Sequence, residues 1–103
     1  MEFIETRTFT QRLYDYLSEE EYIGLQLYLT ERPMSGVVIP GSGGVRKLRW
    51  GTEGRGRRGG IRIIYYWKMA HNEIWLLTLY AKNEESTIPG HVLRKIKETL
   101  DRE

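Results

Sequence analysis

Cysteine is absent from the chain. That excludes a disulfide scaffold and every thiolate metal site, and it is compatible with a reducing compartment. Histidine is scarce: His71 and His91 are far apart and in no ligand spacing, so they read as a turn residue and a helix-start residue rather than as zinc ligands. Carboxylates occur as surface-type neighbours such as Glu84 and Glu85, unlike the acidic cluster that a two-metal nuclease needs. No Ser, His and Asp arrangement for nucleophilic catalysis is evident. Long apolar runs are lacking as well. The longest, Ile74 to Ala81, is interrupted by Thr78 and falls far short of the roughly 20 residues that span a bilayer. The opening MEFIETRTFT has neither a basic n-region nor an apolar h-region, unlike a signal peptide. These absences predict a soluble, cytoplasmic protein with no cofactor, no metal and no membrane partner.

At 103 residues the chain is long enough for one domain, residues 1–103, with its own core. A domain of that size buries about 60–70% of the surface its unfolded chain exposes. Its charge is unevenly spread. The formal net charge is +2, yet residues 1–40 carry three cations and seven anions, while residues 41–103 carry thirteen cations and seven anions. Local clustering of this kind, more than the total, points to an anionic partner. It is densest from Gly41 to Tyr66, which holds eight of the 11 glycines and seven of the 16 Lys and Arg residues. Those seven are Arg46, Lys47, Arg49, Arg55, Arg57, Arg58 and Arg62, facing a single carboxylate, Glu53. The stretch reads as two strands joined by a glycine-rich loop, a polyanion surface in outline.

Periodicity orders the rest. Glu2 to Thr6 alternates as a short strand. Phe9, Leu13, Tyr16 and Leu17 then gather on one face of a two-turn helix opened by Thr8 or Thr10. Ser18 and Glu21 make a capping box that starts a second helix, which carries Tyr22, Leu25 and Leu29 to about Thr30 and is stopped by Pro33. Glu19 to Glu21 suit the positive end of that helix's dipole. Gly24 within it costs roughly 1 kcal/mol relative to Ala, and either admits a neighbouring backbone or is simply tolerated. Met34 to Gly44 reads as a linking loop. In Val45 to Trp50, period two sets Lys47 and Arg49 on the face of Val45, opposite Leu48 and Trp50. Ile61 to Lys68 is apolar on both sides, as a central strand must be. Glu73 to Tyr80 is a further two-sided strand, with Ile74, Leu76, Thr78 and Tyr80 alternating against Trp75, Leu77 and Leu79. A last helix follows Pro89 and Gly90. The fold class expected is α+β: a small antiparallel sheet with an N-terminal helical hairpin and a C-terminal helix.

Gly54-x-Gly56-x-x-Gly59 matches the dinucleotide fingerprint only formally. A Rossmann site needs a helix after the glycines, and here a β-branched strand follows Gly60. Gly41 to Gly44 lacks the Gly-Lys-Ser/Thr ending of a P-loop. What remains is Lys, Arg and Tyr on adjacent strands, which can act on RNA because RNA carries its own nucleophile. Such a site needs a base for the 2′-OH, cations for charge building on the phosphoryl oxygens, and an acid for the leaving 5′-oxygen. Neighbouring arginines disfavour the protonated form of a lysine, so Lys47 can serve as the base. Arg49 and Arg62 can hold the phosphate, and aromatic side chains such as Tyr66 can stack exposed bases. The plainer reading is a basic sheet edge making non-specific phosphate contacts.

The segments VRKLRWGTEGRGRRGGIRIIYYW and IWLLTLYAKNEES resemble the HigB branch of the RelE/ParE superfamily, toxins of bacterial type II toxin–antitoxin pairs. The likeness is most specific from Gly43 to Glu84. It implies a RelE-like fold and a ribosome-dependent mRNA endonuclease that cuts in the A site. It also implies a cognate antitoxin, HigA-like with a helix-turn-helix domain, as partner beside the ribosome and mRNA. Carried over by position, Lys47 and Arg49 match the family's strand cations, Arg62 the arginine opening the next strand, and Lys82 a basic residue after the last one, flanked by Tyr80 and Asn83. RelE itself has an arginine where this chain has Asn83, and a catalytic tyrosine where it has Ile88 and Pro89. Tyr80, Lys82 and a ribosomal group therefore all remain candidates for the general acid. Arg46, Arg55, Arg57 and Arg58 are expected to grip RNA or ribosome. The same superfamily includes non-catalytic toxins that inhibit gyrase, which is the alternative activity.

Overall fold

A computed structural model describes residues 1–51, 60–82 and 88–102. In chain order the elements are β1 (Glu2–Glu5), α1 (Arg7–Tyr16), α2 (Glu19–Glu31), β2 (Val37–Val38), β3 (Arg46–Trp50), β4 (Ile61–Lys68), β5 (Glu73–Ala81) and α3 (Gly90–Asp101). The class is α+β. The five strands form one sheet in the order β1-β5-β4-β3-β2. Three of its four pairings are antiparallel, whereas β1 runs parallel to β5. The chain opens with the strand read at Glu2 to Thr6 and the two helices follow it, while the expected antiparallel sheet is corrected at one pairing, the parallel one of β1 with β5. Having left β1 through α1 and α2, the chain returns to its flank only as β5, in the same direction.

Local chemistry explains the helix limits. Ser18 Oγ accepts from the Glu21 N–H at 3.1 Å while Glu21 Oε1 accepts from the Ser18 N–H at 2.8 Å, so the capping box forms as read. α1 starts earlier than its apolar spacing suggests, because Thr6 is its cap: Thr6 Oγ1 accepts from the Phe9 N–H at 3.1 Å and also donates to the Leu77 carbonyl at 2.7 Å. One threonine thereby ends β1, opens α1 and fixes both to β5. Glu5 adds a second tie, accepting from Thr10 Oγ1 and Tyr22 OH, each at 2.6 Å. Burial and that bond to a carboxylate push the Tyr22 phenol's pKa up.

The sheet separates two cores. Towards α1 and α2, Phe9, Leu13, Leu25 and Leu29 pack on Ile61, Ile63, Tyr65, Ile74, Leu76 and Leu79. Towards α3, Val45, Ile64, Leu77 and Tyr80 pack on Leu93 and Leu100. Full burial of one such aliphatic side chain stabilises by about 1.5–3 kcal/mol, so the first, larger core carries most of the fold. Burial on both faces makes β4 central, as its pattern predicts. Gly24 faces a side chain rather than a backbone: a Cβ there would meet the Trp50 ring at an ordinary 3.8 Å.

Two stretches of the expected linking loop are ordered by specific contacts. Val37 and Val38 pair with Lys47 and Arg46 as a two-residue edge strand. Before it, the buried Tyr65 hydroxyl donates to the Pro33 carbonyl at 2.8 Å and accepts from the Gly36 N–H at 2.9 Å. Gly36 must stay glycine, since a Cβ would fall 2.9 Å from that tyrosine. Among the described residues, no helix is long and apolar enough to cross a membrane.

Candidate functional site

The sheet's α3-side face carries the chemistry-bearing residues. β3 puts Leu48 and Trp50 against the helical core, with Trp50 meeting the Tyr28 ring at 5.3 Å between centroids. Lys47 and Arg49 must then project to the other side. On β4, Arg62 shares the α3-side face with Ile64 and Tyr66. Register aligns them: Arg49 pairs with Arg62, Lys47 with Ile64, and Arg62 in turn with Tyr80. A row Arg49, Arg62, Tyr80 therefore crosses three neighbouring strands, with Lys47 one position down β3 on the same face.

Tyr80 joins that row through an irregularity that alternation does not reveal. Ile64 pairs with Thr78 but Tyr65 pairs with Leu76, leaving Leu77 as the extra residue of a β-bulge in β5. Strict alternation would set Tyr80 with Ile74 and Leu76. Instead Leu79 joins those two in the helical core, and Tyr80 turns with Leu77 to the α3 side. The bulge re-aims the tyrosine onto the face of Arg62. There it is 5% exposed, packed into the α3-side core.

Lys47, Arg49 and Arg62 line one open cleft of about 420 Å³ with Ser35 and Val37. Arg49 is exposed, and Lys47 and Arg62 are half-buried. Two arginines directly opposite on adjacent strands repel each other, a cross-strand arrangement that disfavours folding by a few tenths of a kcal/mol to about 1 kcal/mol. Two guanidiniums offer planar, forked donors of a geometry that matches carboxylate or phosphate oxygens. Ser35, which sequence reading overlooked, has at the rim a buried hydroxyl without a hydrogen-bond partner among the described residues. Nothing in its sequence context singles it out.

The remaining candidates separate. Arg46 belongs to the other face: its Nη1 donates to the carbonyls of Met34 at 3.1 Å and Gly36 at 2.8 Å, bracing the loop before β2. Tyr66 ties α3 to the sheet, its hydroxyl donating to Asp101 Oδ1 at 2.9 Å beneath the Lys97 ammonium, 5.7 Å from the ring. Burial first, then the bond to that carboxylate, pushes the Tyr66 phenol's pKa up to about 12. Asp101 is held below its usual range, first by its bond from Lys97 at 2.7 Å and then by Tyr66. Lys68, buried at 6% exposure, donates to the Leu100 carbonyl at 2.7 Å and so completes the C-terminal end of α3. Lys82 is exposed in the turn after β5. Arg55, Arg57, Arg58 and Asn83 lie outside the described residues, as does the Gly54-x-Gly56-x-x-Gly59 sequence. His71 sits in the turn before β5, its Nδ1 3.7 Å from Glu73, and His91 lies in the first turn of α3.

No protein-family model matches the chain.

Proposed function

We propose that the protein is a ribosome-dependent mRNA endonuclease, the toxin of a type II toxin–antitoxin pair, on a fold of the RelE kind in its HigB form. The observation that carries this reading is the cleft lined by Lys47, Arg49 and Arg62, with Tyr80 buried next to Arg62 in the same cross-strand row, since cations so grouped match the demands of cleavage by the RNA's own 2′-OH. Lys47 takes the hydroxyl proton, the 2′-oxygen attacks phosphorus, and Arg49 and Arg62 bind the non-bridging oxygens as their charge grows. The bond to the 5′-oxygen then breaks. That oxygen leaves with a proton from Tyr80, Lys82 or a ribosomal group, giving a 2′,3′-cyclic phosphate and a 5′-hydroxyl.

The open, shallow form of the cleft suits a strand presented by a larger surface such as the ribosomal A site, which supplies the orientation that the protein alone lacks. The cognate partner is a HigA-like antitoxin with a helix-turn-helix domain. Toe-printing of a translated message tests the reading. Arg62→Ala is expected to lose about 100-fold in cleavage, the effect of removing one preorganised transition-state donor, while still binding the antitoxin. Undiminished cleavage sinks the assignment. Gyrase inhibition without ribosome-dependent cuts would favour a non-catalytic toxin instead.

A further inference from the structure

A second cleft, about 470 Å³, opens at the other end of β4 and is not used by the chemistry above. Its polar lining is Arg46, Tyr66, Lys68, His71 and Asp101, and its apolar lining includes Met34, Trp67 and Met69. The two methionines are 60% and 67% exposed. Such exposure is unusual for large apolar side chains flanking a concavity, and it offers thioether and aromatic surface to a flat ligand.

Lys68 is a buried cation in this cleft, its ammonium engaged by the Leu100 carbonyl. Both hydrogen bonds of Arg46 leave from Nη1, so the Nη2 and Nε donors of its fork have no partner among the described residues. Trp67 adds a buried indole N–H that lacks an acceptor among the described residues. The one carboxylate lining the cleft, Asp101, is already occupied by Lys97 on one oxygen and Tyr66 on the other. Glu73 stands beside His71 and accepts from Trp75 Nε1 at 3.2 Å. The spare donors of Arg46 are therefore what the cleft offers an anion.

We propose that this cleft binds a nucleotide unit, its phosphate taken by Arg46 and His71 and its base lying against Trp67 and the methionines. The proposal stands independently of the cleavage reading, since none of these residues lines the first cleft. A mononucleotide fits the volume, and the combination of a cationic end with an apolar flank matches a phosphate joined to a base better than it matches a bare anion.

The test is a titration of the full-length, nitrogen-15-labelled protein with 5′-AMP, adenosine, inorganic phosphate, a 5′-phosphorylated RNA trinucleotide and a poly-glutamate peptide. Indole N–H signals of Trp50, Trp67 and Trp75 serve as separate reporters, assigned with Trp67→Phe. The expected result is a saturable shift of the Trp67 indole and of the 66–71 amides with 5′-AMP, and at least tenfold weaker binding of adenosine. His71→Gln, an exposed change that leaves the fold intact, should weaken 5′-AMP several-fold, and adding Arg46→Gln should weaken it further. Arg62→Ala should leave the Trp67 response as in the wild type, which keeps failure of this site distinguishable from failure of the cleavage site. Trinucleotide binding at least tenfold tighter than 5′-AMP identifies an RNA strand as the source, and equal or weaker binding identifies a free nucleotide. The proposal is overturned if 10 mM 5′-AMP moves no 66–71 signal, if adenosine binds as well, or if poly-glutamate binds the same residues more tightly.

Discussion

Replacing Tyr65 with Phe removes one oxygen atom and should cost the protein about 2–3 kcal/mol. The hydroxyl is fully buried and does two things at once, donating to the Pro33 carbonyl and accepting from the Gly36 N–H. A single intramolecular hydrogen bond contributes a net 1 ± 0.5 kcal/mol or so, but a buried donor left without an acceptor costs about 1–3 kcal/mol. Gly36 is buried, so its N–H cannot turn to water, whereas the Pro33 carbonyl is nearer the surface and recovers part of its loss. Arg46 still braces Gly36 through the carbonyl, which prevents the whole segment from detaching. For a domain near 100 residues, 2–3 kcal/mol corresponds to a fall in Tm of roughly 8–20 °C. Urea unfolding measures the change. Hydrogen exchange at the Gly36 amide reports whether it is local, because that proton should lose its protection. A loss under about 0.5 kcal/mol with Gly36 still protected would refute the claim that Tyr65 clamps this loop.

Acid and alkali should both loosen α3. Asp101 titrates below its usual range in the folded protein, so its contribution is present above the unfolded carboxylate pKa and is lost as pH falls through the folded value. Tyr66 titrates at about 12, so its contribution is complete below the ordinary phenol pKa near 10 and is lost as pH rises through about 12. Asp101→Asn should flatten the acid limb of a stability–pH curve, and an unchanged limb counts against the Tyr66–Asp101–Lys97 tie. Gly60→Ala should destabilise by about 2 kcal/mol or more, because φ is +70° and a Cβ would lie 2.6 Å from the Trp50 carbonyl oxygen; chemical denaturation checks this, and a neutral result refutes the turn geometry. Tyr80→Phe keeps the ring in the α3-side core, so the fold should persist while cleavage falls at least tenfold if its hydroxyl is the acid; full activity passes that role to Lys82 or the ribosome. Replacing Arg55, Arg57 and Arg58 together should lower the salt dependence of ribosome binding, by a log–log slope of up to about 3, without abolishing bond breaking.

Much of this was legible from residue type and spacing. Ser18 with Glu21, Pro33, and the two-sided strand Ile61 to Lys68 each acted through local chemistry, and each took the expected position. The face of Lys47 and Arg49 followed from period two, since β3 is regular. The face of Tyr80 did not, because a bulge inserts one residue into β5 without any glycine or proline to mark it. The parallel seat of β1 and the cap on α1 were hidden for a related reason: Thr6 is fixed by the Leu77 carbonyl, 71 residues away. Arg46 and Tyr66 illustrate the limit of reading by type. Residue type says nothing of the bonds they make within the fold, where one braces loop carbonyls and the other anchors a helix.

The account rests most heavily on one cleft performing chemistry on RNA. Its most direct test is cleavage of a translated message by the wild type and by Lys47→Ala, mapped by primer extension with and without ribosomes. The account predicts A-site cuts that require ribosomes and end in 2′,3′-cyclic phosphate, reduced about 100-fold or more by the substitution. Wild-type protein that makes no such cuts, or a Lys47→Ala variant that makes them at full rate, would contradict it.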